Sequence, residues 1–114
     1  MESYINSINY FGGIEMDKKM IENIFKRYSK TLLYDKIINN GEYLIERVFV
    51  NMSERDIDII IIRYSSEKIN VYDILLEKYN LSKARIGQII ASFNYHLDKE
   101  IDILENKIKY VTEI

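Results

Sequence analysis

From Ser82 to the end of the chain there is no proline, and no glycine after Gly87. Over that span Ile86, Ile90, Phe93, Leu97, Ile101, Leu104, Ile108 and Val111 recur at three- and four-residue steps. Such spacing lays one apolar stripe along an α-helix. A helix of about thirty residues is roughly 45 Å long. The rest of a 114-residue chain has to be arranged around it. The stripe either completes the core of a monomer or forms a seam with a second copy, and the residues leave monomer or homodimer open.

The remaining pattern is also helical. Asp17 can cap a helix over 18–38, whose apolar positions Met20, Ile21, Ile24, Tyr28, Leu32 and Leu33 leave most of Lys18, Lys19, Lys26, Arg27 and Lys30 off the stripe. Asn39, Asn40 and Gly41 end it. A short helix over 42–50 buries Leu44, Ile45, Val48 and Phe49. Ser53 opens the next helix with a box-like cap in which Asp56 stands three residues on, and Met52 can staple onto Ile57. The run Ile59 to Ile62 also fits a buried strand, but the cap and staple favour helix. Residues 65–68 form a loop, and Asn70 can cap a helix over 71–79 that turns Val71, Ile74, Leu75 and Tyr79 inward. Asn80 and Leu81 turn the chain, and Ser82 caps the long helix while Leu81 staples onto Ile86. Residues 1–15, with Tyr4, Ile5, Ile8, Tyr10 and Phe11 ahead of Gly12 and Gly13, read as an arm or short helix. The expected fold is all-α, about five helices, as one compact unit: an N-terminal helical segment, 1–51, packs on 52–114.

Composition removes several function classes. Twenty-two Ile and ten Tyr accompany no Pro, Trp or Cys. Without cysteine there is neither a disulfide framework nor a thiolate metal site. His96 is the one histidine, and Glu54, Asp56 and Asp58 form no metal constellation, so no metal and no cofactor are expected. No Ser-His-Asp set, paired carboxylates or phosphate loop appears, and the chain reads as not an enzyme. The longest apolar run, Ile59–Ile62, is far short of a membrane span. The N-terminus shows no basic segment followed by an apolar run, so a cytoplasmic protein without membrane contact is expected.

The net charge of −2 does not by itself suit a nucleic-acid binder, whose affinity rests on phosphate contacts. Its distribution does more. Residues 18–36 carry a net +4, residues 80–97 hold Lys83 and Arg85 with no acid, and the chain from Glu100 onward carries −2. A helix start disfavours cations, so Lys83 and Arg85 there point to a phosphate partner. With Ile86, Ile89, Ile90 and Phe93 inward, the outward residues are Lys83, Ala84, Gly87, Gln88, Ala91, Ser92 and Tyr95, with Arg85 on the flank. Gln88 can pair with adenine or serve as ordinary helix surface. Ser92 and Lys99 are further candidates for contact with DNA.

A capped helix, a loop, a short helix, a three-residue turn and a longer helix follow the order of a helix-turn-helix. The stretch SERDIDIIIIRYSSEKINVYDILLEKYNLSKARIGQIIASFNYHL resembles region 4 of bacterial sigma-70-type factors and of small phage regulators of the ArpU type. The matching features are Ser53-Glu54-Arg55 with Arg63-Tyr64, the Leu81-Ser82 turn, and Arg85-Ile86 with Gln88-Ile89. The resemblance covers about residues 52–97. It implies promoter DNA and RNA polymerase as partners, with Lys83 and Gln88 at positions where that family meets DNA and Arg85 in the same helix. The sequence departs from the family at Ala84 and Gly87, where charged residues are common. The segment 1–51 is too short for the family's complete promoter-melting region, so a self-sufficient sigma factor is not expected. The reading is a sigma-like transcription regulator that contacts duplex DNA through Lys83, Arg85, Gln88, Ser92 and Lys99. The alternative is a protein-interaction module that keeps the fold without reading DNA.

Overall fold

The computed structural model describes residues 16–65 and 71–113. The N-terminal arm, the loop with the Asn70 cap, and the side chains of Val71, Ile108 and Val111 lie outside what is described. Among the described residues the chain is all-α, with six α-helices and no strand: α1 (Lys18–Ile24), α2 (Tyr34–Asn39), α3 (Gly41–Phe49), α4 (Glu54–Ser65), α5 (Val71–Tyr79) and α6 (Lys83–Glu113), with a 3-10 turn at Lys26–Tyr28.

Three side-chain caps set the helix starts. Asp17 Oδ1 accepts from the Met20 amide at 2.8 Å, Ser53 Oγ from the Asp56 amide at 3.1 Å, and Ser82 Oγ from the Arg85 amide at 3.0 Å. Each supplies a partner to an amide that the helix itself leaves unbonded. The Asp56 carboxylate turns to the Arg55 guanidinium, 2.9 Å away. At the end of α5 Asn80 takes φ 55°, the left-handed conformation that asparagine tolerates, and its amide donates to the Leu76 carbonyl at 2.8 Å. That single residue turns the chain within three positions into α6.

The helix expected over 18–38 is in fact two helices. Phe25, at φ −97° and ψ 11°, leaves helical geometry, and the Tyr28 carbonyl accepts from both the Thr31 amide (3.0 Å) and the Thr31 hydroxyl (2.9 Å), closing a turn. An unbroken helix would carry Ile37 roughly 20 Å beyond Ile24. Folded back, both are buried in one cluster, while Leu32, expected on the apolar stripe, stands fully exposed at the bend. The return also brings Gly41 against α1: a Cβ there would lie 2.7 Å from Ile21 Cγ2 and 3.2 Å from the Phe25 ring.

Two apolar clusters result. The larger joins Phe25, Leu44, Phe49, Ile60, Phe93 and Leu97, so it runs through both halves of the chain. Phe93 is its hinge point, with ring centroids 5.9 Å from Phe49 and 6.3 Å from Tyr64. The smaller joins Ile59, Leu75, Ile86 and Ile89 and seats α5 on α4 and α6. Helix α4 serves both, sending Ile57 and Ile60 one way and Ile59 the other. The four consecutive isoleucines are therefore a helix buried on two sides. A polar clasp completes the α4–α5 contact, with Lys78 Nζ 2.8 Å from Asp58 Oδ2 and the Tyr79 hydroxyl donating to the same oxygen.

Candidate nucleic-acid interface

The capped turn at 80–82 starts α6 with no acid in its first turn, and no acidic residue occurs between Glu77 and Asp98. Lys83, Arg85, Gln88, Ser92 and Lys99 are all exposed. They do not form one face. Two residues along a helix are about 200° around it, so Lys83 and Arg85 point to different sides. The Lys83 ammonium lies 5.8 Å from the centroid of the Tyr72 ring on α5. Arg85 Nη1 instead donates to Gln88 Oε1 at 3.3 Å, and Arg85, Gln88, Ser92 and Lys99 share one flank.

That flank is one wall of a groove of about 400 Å³. The opposite wall is the corner where α3 passes into α4 and supplies Arg47, Asn51 and Ser53. Buried Val48, Ile89 and Phe93 make its base. Four of the groove's polar residues, Arg85, Gln88, Ser92 and Lys99, are among the candidates chosen from the sequence as DNA contacts; Arg47, Asn51, Ser53 and Asp56, and His96 and Glu100 on the α6 wall, are not. Arg47 carried a signal, since it sits on the outer side of a helix whose inner positions were clear. Asn51 carried none, because only the fold brings residues 47–53 to residues 85–99.

The acids in the groove are already engaged. Glu100 Oε1 accepts from Arg47 Nε at 3.3 Å, and Asp56 pairs with Arg55. Among the described residues neither Arg85 nor Lys99 has an acidic partner; Lys99 lies 5.3 Å from the centroid of the Tyr95 ring.

On the other flank of α6, Arg27 Nη2 is 2.9 Å from Asp98 Oδ1 and donates to Asn94 at 3.3 Å. The basic run of residues 18–36 is therefore not one free surface, since Arg27 is tied to α6. Gly87 sits between the flanks with nothing within 4 Å of where a Cβ would be, so no neighbour in the fold requires a glycine there. Among the described residues no three potential metal ligands come together, and no helix is long and apolar enough to cross a membrane. No protein-family model, curated protein or solved structure matches the chain.

Proposed function

We propose that this chain is a DNA-binding transcription regulator of the helix-turn-helix type, acting in the cytoplasm and without catalysis of its own. Helix α5 braces α6, and the first turns of α6 enter the major groove of promoter-like duplex DNA. The observation that carries this reading is the acid-free, solvent-facing start of α6 behind a three-residue capped turn. Lys83 and Arg85, on opposite sides of the helix, suit the two phosphate strands that border a major groove, and Gln88 between them suits a base edge. Ser92 and Lys99 lie further along and suit backbone contacts. The resemblance of residues 52–97 to sigma region 4 extends the proposal to action beside RNA polymerase.

The test is fluorescence anisotropy with labelled AT-rich duplexes, one carrying a −35-like element, at low and moderate salt. Expected is binding that prefers one duplex and weakens with salt. The double variant Lys83→Ala/Arg85→Ala should flatten the salt dependence; unchanged affinity and slope in that variant would remove α6 from the interface.

A second reading is a protein-interaction module, and the observation favouring it is that Arg85 and Gln88 bond to each other along a groove. A polymerase subunit retained by the protein, with no DNA affinity at low salt, would select it.

A further inference from the structure

The groove between α6 and the α3–α4 corner has features that a phosphate-contacting surface does not need. Its floor is closed by buried Val48, Ile89 and Phe93, its open apolar surface comes from Ile103, 46% exposed, and half-buried Met52, and its walls converge polar groups from segments distant in sequence. A concavity of about 400 Å³ falls in the size range of small-molecule sites, which pair an apolar lining with a few placed polar groups. Its charge is unbalanced. Asp56 and Glu100 are neutralised by Arg55 and Arg47, which leaves the uncompensated cations Arg85 and Lys99 on the α6 wall. Asn51, Ser53, Gln88 and Ser92 add short-range donors between them.

We propose that this groove binds a small organic anion, apolar along its body and bearing a carboxylate, sulfonate or phosphate, and that the ligand regulates α6. The apolar body lies against Ile103 and Met52, above the floor closed by Val48, Ile89 and Phe93. The anion takes charge-assisted hydrogen bonds from Arg85 or Lys99, the strong class of such bonds. Binding pulls the Arg85 guanidinium away from Gln88 and engages it in the groove. Arg85, Gln88, Ser92 and Lys99 are also assigned to DNA above, and resting on that reading, ligand and DNA compete for the same side chains. Competition is reciprocal: the ligand lowers DNA affinity by the factor by which DNA lowers ligand affinity.

The experiment uses the full chain and anilinonaphthalene sulfonate, an aromatic monoanion whose fluorescence rises on transfer to an apolar site. Expected is a saturable rise at one site per chain and a raised melting temperature with added dye. Arg85→Ala/Lys99→Ala weakens binding about tenfold through loss of the charge-assisted bonds. Ser92→Trp fills the groove and abolishes binding, whereas Tyr43→Ser, on the exposed side of α3, leaves it unchanged. Circular dichroism verifies that each variant is folded. No saturable binding, or binding that all three variants leave alike, overturns the site. Anisotropy with the labelled duplex then reads the coupling: saturating dye lowers DNA affinity, and an unchanged affinity overturns the competition. Should no duplex bind at all, the DNA reading fails while the dye titration still decides the groove.

Discussion

Two glycines in helices have opposite reasons for being there. Gly41 is fixed by a close approach, since a methyl group would collide with Ile21 and the Phe25 ring. Gly41→Ala is therefore expected to destabilise the fold by about 1–3 kcal/mol, the usual cost of overpacking a core, read as a lower urea midpoint. Gly87 meets nothing, and a helix-interior glycine costs up to about 1 kcal/mol relative to alanine. Gly87→Ala should raise stability by roughly that amount, read in the same titration. If the start of α6 lies against DNA, the same variant loses duplex affinity, so stability and function move in opposite directions. At Asp58, burial pushes the carboxyl up, but hydrogen bonds from Lys78 and Tyr79 outweigh it and hold the group below the ordinary carboxylate value. A lowered folded value gives stability that is present above the unfolded value and lost as pH falls through the folded one. The urea midpoint should thus fall between roughly pH 5 and 3, and Asp58→Asn should flatten that limb. An identical acid limb in the variant would show that the clasp contributes nothing.

Among the helices, those whose signals are local were legible. Ser53, Ser82 and Asp17 cap where the sequence places caps, and the expected 71–79 helix is α5 residue for residue. The break at Phe25 was not legible. Its apolar spacing continues smoothly into Leu32 and Leu33, and only the gain from bringing Ile37 back to the core decides against one long helix. Leu32→Lys should accordingly change stability by no more than about 0.5 kcal/mol, whereas Phe25→Ala should cost about 3–5 kcal/mol. A large loss in the leucine variant would mean that the bend packs against something else. The candidate site divides in the same manner. Residues of α6 could be chosen from their own helix, and even the separation of Lys83 from Arg85 follows from counting turns. The α3–α4 wall could not be chosen, because no local rule brings Asn51 opposite Ser92.

At the scale of the molecule, α6 at about 46 Å is nearly as long as the longest dimension, 52 Å, with α3, α4 and α5 packed on it, α1 on α4 and α2 on α3. Cationic contacts are few and the net charge is −2, so any duplex affinity has to rest on a handful of phosphates. With Lys83, Arg85 and Lys99 engaged, log K against log salt should fall with a slope of about −3, and the Lys83→Ala/Arg85→Ala variant should lose about two of it. A slope near zero in the native protein would mean that no phosphates are neutralised.

Because Ile57 and Ile60 face one cluster and Ile59 the other, α4 belongs to neither half of the chain alone. Residues 52–97 are therefore a poor graft: lifted out and fused to another protein, they would bring a bare row of isoleucines in search of cover. In hydrogen-exchange terms the amides of α4 should be the last to give up protection, and both halves should be released together rather than in turn.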